Sequence, residues 1–193
     1  MKQAERLRTR RWTRAEYVRL IEHCLLDEDD PIELLDGLLL VKEPQSTPHA
    51  TSTRLTAEAL RAAFGEGWVI EPGLPIALDD RSEPEPDVCV VAGSARDFLD
   101  DHPKRPVLIV EVAYSGLRIA RGRKATAYAR AEIPDYWIVN LVDRVLEVHR
   151  EPRRRDVVRP RWGYTSNTTL RAADTVSPLA APAARVLVAD LLP

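Results

Sequence analysis

The sequence predicts a mixed α+β domain with an α/β-type core, in which one central sheet carries both parallel and antiparallel strands. Its signals run helix, hairpin, helix, several strands, helix, strands, and such mixing belongs neither to an all-helical nor to an all-strand chain. Hydrophobic residues make up 45% of the chain and charged residues 30%, the balance of a globular fold and not of a disordered one. At 193 residues the simplest organisation is a single domain over 1–193, with the N-terminal helix and hairpin packing on the core.

Thr13 followed by Glu16 is a capping box, and it opens a helix on which Tyr17, Leu20, Ile21 and Cys24 fall at helical spacing. The stretch "DEDD" and Pro31 close that helix. In "IELLDGLLLV" two short apolar runs flank Asp36-Gly37, a strong hairpin signal. Residues 48–64, "PHATSTRLTAEALRAAF", place Leu55, Ala59, Ala62 and Ala63 on one side and end at Gly65, so a second helix is expected there. The runs "WVIE", "LPIAL" and "DVCVV" read as short strands separated by Gly, Pro and paired aspartates. Next, "VLIVEVA" reads as a strand covered on both faces, "LRIARGRKATAYARA" as a helix, and "DYWIVNLVDRVLEVHRE" as two strands joined by a tight turn. Beyond residue 151 an arginine-rich loop is expected to lead to edge strands and a short terminal helix.

Several function classes are excluded. No apolar run approaches the ~20 residues of a membrane-spanning helix, and "MKQAERLRTRRW" has no signal-peptide core, so a cytoplasmic protein is expected. Cys24 and Cys89 lie far apart, and both are read as buried free thiols, not as a disulfide or a zinc site. A net charge of −2 argues against coating nucleic acid through bulk charge. Local basic clusters remain at "RLRTRRW", "RIARGRK" and "RRRDVVRPRW", and each, taken alone, reads first as a solvated face.

One residue breaks the pattern. In "PVLIVEVA" the carboxylate of Glu111 interrupts a buried strand, and a lone ionised carboxylate in a dry interior costs several kcal/mol unless paired, protonated or bound to a cation. Period-two alternation puts Glu111 on the face of Val107, Ile109 and Ala113, and Asp87 on the face of Cys89 and Val91. Were the two strands neighbours, these carboxylates would converge, and a hard divalent ion such as Mg²⁺ would answer their repulsion. Lys124 sits within the apolar stripe Leu117, Ala120, Ala127, Tyr128, Ala131 of the following helix, a stripe that should face the sheet. The plainer alternative is a structural Glu111–Lys124 ion pair with Asp87 capping a turn.

Pro86-Asp87, then "VEVA" with Glu111, then Lys124 in the next helix resemble the PD-(D/E)XK nuclease superfamily in its migrated-lysine form, and within it the Uma-type restriction endonucleases of bacteria. The resemblance runs through "RRWTRAEYVRLIE", "IELLDG", "PHATSTRL", "LDDRSEPEPDVCVV", the segment from "VLIVEVA" to "YWIVNL", and the terminal "LLP". It implies a restriction-endonuclease-like mixed β-sheet flanked by helices and a phosphodiesterase site. In that site Asp87 and Glu111 hold Mg²⁺ or Mn²⁺, and Lys124 helps activate water for attack on a DNA phosphate. Glu33, His49 and Ser115 match positions near the family's site. By residue type alone, Glu33 at a strand end faces solvent, His49 is a capping or surface histidine, and Ser115 bonds within its loop. The chain departs from the family at Ala120, where an aspartate is usual, at Arg123 before the lysine, and at Asn140 in place of another aspartate; Ala113 occupies the position two after the glutamate.

The reading that follows is a metal-dependent DNA endonuclease acting as a homodimer, since two-fold assembly suits cutting two antiparallel strands. The alternative is a catalytically decayed nucleic-acid-binding or scaffold protein with the same fold, motivated by Ala120 and Asn140. A carboxylate-pair glycoside hydrolase fits poorly, because aromatics are 6% of the chain and leave little surface for stacking sugars.

Overall fold

The computed structural model describes residues 9–27, 29–42, 44–157 and 160–193. The first residues of the "RLRTRRW" cluster and positions 158–159 of "RRRDVVRPRW" lie outside them. Helix α1 (Arg14–Glu22) begins with the expected capping box: Thr13 Oγ1 accepts the Glu16 N–H at 3.2 Å, and the Glu16 carboxylate accepts the Thr13 N–H at 2.9 Å. Buried Tyr17 donates its hydroxyl to the Ile32 carbonyl at 2.9 Å and so ties the helix to the next element. Cys24 lies past the helix end in a left-handed conformation (φ 52°) and is exposed, so the expected burial of both thiols holds for Cys89 alone.

Strands β1 (Ile32–Leu35) and β2 (Leu38–Val41) form the expected hairpin. Asp36 and Gly37 have φ of 53° and 72°, the two left-handed residues that a tight primed turn needs. A Cβ on Gly37 would stand 2.9 Å from the Trp12 carbonyl oxygen. Helix α2 (Thr47–Phe64) stops at Gly65, whose φ of 69° suits glycine. Its buried face is Ser52, Thr53, Thr56, Ala57, Leu60 and Phe64, not the expected stripe; Leu55, Ala59 and Ala63 are half-buried and Ala62 is exposed. Two of the three hydroxyls are satisfied by the backbone, Ser52 donating to the Leu191 carbonyl at 2.7 Å and Thr53 to the His49 carbonyl at 3.1 Å, while the buried Thr56 hydroxyl finds no partner among the described residues.

One six-stranded sheet organises the rest, in the order β3 (Trp68–Pro72), β4 (Val88–Ala92), β5 (Leu108–Ala113), β6 (Asp135–Asn140), β7 (Val145–Arg154), β8 (Trp162–Arg171). Only β5 and β6 pair in parallel; every other neighbour is antiparallel. A parallel pair requires a crossover, which α3 (residues 117–130) supplies. This helix is α-helical over Leu117–Ile119, π-helical over Ala120–Lys124 and α-helical again over Ala125–Arg130. The run "LPIAL" is not a strand. Its buried backbone bonds elsewhere, Ile76 N–H to the Pro84 carbonyl and Ala77 N–H to the Pro103 carbonyl, so no ladder forms.

Both faces of the sheet are covered, as the uninterrupted burial of β5 requires. On one face, Val88, Val110, Trp137 and Val148 pack with Leu60 of α2 and with Leu191. On the other, Cys89, Ile109, Tyr136 and Ile138 pack with Ala120, Ala127 and Tyr128 of α3. The short pair β9 (Thr175–Val176) and β10 (Val186–Leu187), a separate two-stranded sheet followed by a 3₁₀ turn over Val188–Leu191, closes the first core; the expected edge strand is β8, and Arg153 and Arg154 of the expected arginine-rich loop continue β7, where pairing with β8 holds them extended.

Candidate active site

The register of β4 on β5, with Val88 opposite Val110 and Cys89 opposite Ile109, carries Asp87 to a place across from Glu111 on the face that α3 covers. The Asp87 and Glu111 strands are thus neighbours with both residues on one face. Asp87 is fixed at both oxygens: Oδ2 accepts the Val112 N–H at 2.7 Å, and Oδ1 lies 3.3 Å from His49 Nε2. Glu111 is buried on β5, where Tyr128 donates its hydroxyl to Oε1 at 2.6 Å and Lys124 Nζ lies 3.0 Å from its oxygens. The same ammonium stands 3.2 Å from Glu33 Oε1, and the other Glu33 oxygen accepts the Glu85 N–H at 3.0 Å.

The local fold explains these placements. Glu33 is one residue into the hairpin, on the side turned toward the sheet, and is only 3% exposed, contrary to the solvent-facing default for a strand-end glutamate. His49 belongs to the first turn of α2 and is largely buried against Asp87, so it is not the surface histidine its position suggested. Lys124 closes the π-helical turn. Such turns hold an extra residue and recur at functional sites; here Arg121, Gly122 and Arg123 bulge outward while Ala120 and Lys124 stay buried. Ser115 lies in the exposed bend between β5 and α3.

The charges do not balance. Burial pushes the Glu111 carboxyl up, Lys124 pulls it down, and Asp87 and Glu33 push it up again, to about 7. For Lys124, burial favours the neutral amine, but Glu111, Glu33 and Asp87 outweigh it and the ammonium is held charged. Both shifts express one fact: a single lysine serves a surplus of carboxylate. Burial likewise pushes the Tyr128 hydroxyl well up, which keeps it a donor to Glu111. Among the described residues, no group of three or more His, Cys, Asp or Glu side chains stands together in a metal-holding arrangement. The donor set nonetheless suits a hard cation, since Asp87, Glu111 and Glu33 offer only carboxylate oxygens in a place short of positive charge.

A second polar network borders the first. Glu111 pairs across the sheet with Ile138, and Ile138 with Glu147, so Glu147 lies in the same cross-strand row. Arg121 grips it with two hydrogen bonds, Nε to Oε2 at 2.9 Å and Nη2 to Oε1 at 2.5 Å. Buried Asn140 donates to Glu147 at 2.9 Å and to Asp143 at 2.8 Å, while its oxygen accepts the Val142 and Asp143 N–H groups at 3.0 Å. An aspartate at 140 could accept those two bonds but would face two carboxylates without a proton to give, so the asparagine is fixed by its neighbours. Ala120, another of the departures, is a core residue whose carbonyl accepts the Tyr136 hydroxyl at 3.1 Å. Sequence reading missed Tyr128 and Glu147: the tyrosine passed as part of an apolar stripe, although its place four residues after Lys124 was a usable signal.

The described residues include no helix long and apolar enough to cross a membrane. A comparison with curated proteins finds no match. Among solved structures, the chain is similar to a protein from Anabaena variabilis described as a "putative nuclease belonging to DUF820", with a TM-score of 0.69 and 14% identity, over 89% of this chain and 96% of that one. At that identity the likeness bears on the fold, a mixed sheet with flanking helices. The model of the Uma2 family, "Putative restriction endonuclease", matches residues 14–185. That span holds Glu33, His49, Asp87, Glu111 and Lys124 together with all six strands of the large sheet, and the chain belongs to the Uma2 family.

Proposed function

We propose that the chain is a metal-dependent endodeoxyribonuclease that hydrolyses phosphodiester bonds, with Asp87 and Glu111 holding Mg²⁺ or Mn²⁺, Lys124 beside them, and Glu33 and His49 in support. The observation that carries this reading is the Lys124 ammonium, buried between Glu111 and Glu33 at 3.0 and 3.2 Å in a place with too little positive charge. A bound divalent cation would polarise a phosphoryl oxygen and lower the pKa of water. Lys124 Nζ, 3.0 Å from Glu111 and 3.2 Å from Glu33, stands where it would hydrogen-bond phosphate oxygens as charge grows on them and help position the attacking water. Tyr128 fixes the Glu111 carboxylate, and the Val112 N–H and His49 fix that of Asp87, so both acids are oriented before substrate arrives. A homodimer organised over a single domain would present two such sites to the two strands.

The test is incubation of supercoiled plasmid with purified protein and Mg²⁺ or Mn²⁺. Wild type is expected to nick, and Asp87→Ala and Lys124→Ala to lose at least about a hundredfold in rate. Equal nicking by all three would sink the assignment. A non-catalytic DNA-binding protein of the same fold is the second reading, favoured by Ala120 and by the lack of three preformed ligands among the described residues. It is the outcome indicated by DNA binding without nicking and without calorimetric uptake of Mn²⁺.

A further inference from the structure

The arginine-rich run "RRRDVVRPRW" has no part in the site. Strand β7 pairs with β6 only from Val145 to Arg150, whereas its pairing with β8 continues to Arg154 opposite Trp162. Past Arg150 the two strands therefore form a ribbon that projects beyond β6, and it departs where Glu151 adopts a left-handed conformation (φ 58°). One more backbone bond, from the Arg155 N–H to the Arg161 carbonyl, sets these two arginines opposite each other. Arg155 is accounted for. Its guanidinium lies over Gly163, where a Cβ would come within 3.0 Å of it, and donates to the Tyr164 carbonyl at 2.9 Å. Arg153, Arg154 and Arg161 are exposed, and none of them forms an ion pair among the described residues.

Arg153 and Arg154 lie opposite Gly163 and Trp162, and Arg161 follows beside them, so the exposed guanidinium groups are gathered on one ribbon without facing one another across it. In a protein whose net charge is −2, a concentration of arginine on one projecting ribbon is a local cost, and a polyanion of closely spaced charges removes it. Since β7 runs antiparallel to β6 and Glu147 shares a cross-strand row with Glu111, the ribbon lies toward the opposite end of the sheet from the carboxylates. From Glu147 to Arg154 a strand rises ~23 Å at ~3.3 Å per residue. Along B-DNA that reach is ~7 base pairs at ~3.4 Å each.

We propose that the β7–β8 ribbon, through Arg153, Arg154 and Arg161, is a second DNA-contact surface that holds the phosphate backbone of a duplex several base pairs from the bond lying at Glu111. The proposal rests on the endonuclease reading for its partner. Its contacts are with phosphates, so the ribbon supplies affinity and register without reading sequence.

The test is fluorescence anisotropy of a labelled duplex of roughly twenty base pairs, titrated at several salt concentrations with and without Mg²⁺. The triple variant Arg153→Ala, Arg154→Ala, Arg161→Ala is expected to bind about 30-fold more weakly whatever the sequence, and its slope of log affinity against log salt to fall by ~2.7, ~0.9 for each phosphate contact. The corresponding triple lysine variant retains the slope. Thermal melting and Mn²⁺ uptake stay at wild-type values, since the substitutions lie outside the core and the site. Wild-type affinity and slope in the alanine variant overturn the ribbon while leaving the endonuclease reading standing; a wild type that binds no duplex under either condition overturns both. A loss confined to structured RNA, with duplex DNA unaffected, also overturns the assignment.

Discussion

Glu147 is a buried carboxylate whose charge the protein has arranged to keep. Burial pushes its carboxyl up, but its polar neighbours prevail and hold it down at about 2; the His149 ring nitrogen stands 3.8 Å away, outside hydrogen-bond reach, so the hydrogen bonds from Arg121 and Asn140 are those the geometry supports. Its pKa is thus lower folded than its ordinary 4.5. The stability it contributes is fully present above that ordinary value and is lost as pH falls toward about 2. Glu147→Gln is expected to cost about 2 kcal/mol at neutral pH and to flatten the fall of the urea midpoint across that acid window. An unchanged midpoint in both regimes would refute the role given to Arg121 and Asn140. The site's residues were unequally legible in the sequence. Glu111 and Lys124 stood out because each is a charge within an apolar pattern, where it needs a partner. Glu33 and His49 did not, because nothing local distinguishes a buried strand-end glutamate or first-turn histidine from an exposed one; their burial comes from residues far away in sequence.

At the scale of elements, local chemistry decided what could be read. The Asp36-Gly37 turn was legible because two consecutive left-handed residues admit few side chains, and the structure adds a second constraint, the approach of Trp12. Gly37→Ala should meet both, losing about 2 kcal/mol or more, with a lower thermal midpoint as the readout. Because β1 of that hairpin carries Glu33, the same variant should loosen the pairing at Lys124. A thermal midpoint equal to wild type would show that the turn tolerates a Cβ. The face of α2 was misread for the opposite reason. Small hydroxyl residues look polar in sequence, yet Ser52 and Thr53 find backbone acceptors and pack inside, leaving Ala62 outside. Likewise "LPIAL" is as apolar as a strand, but its N–H groups meet single carbonyls from two different loops instead of a ladder. The π-helical turn left no trace in spacing, since Ala120 to Lys124 is an ordinary helical interval.

At the scale of the whole molecule, the mixed sheet was legible in the order of the elements, while the strand neighbours and their register were not, being set by contacts between distant segments. For a homodimer, sedimentation or light scattering should give twice the 21.7 kDa of one chain, and a monomer at the concentrations that support nicking would refute the two-fold assembly. The acids and the lysine come from four separate places, with Glu33 on the small hairpin, Asp87 leading into β4, Glu111 on β5 and Lys124 on the crossover helix. No two of the three carboxylates share an element, so a copy that has lost any one of these packings keeps an incomplete set. On the endonuclease reading proposed above, such a copy would be chemically silent, so that half-folded molecules would spare the DNA of the cell that makes them.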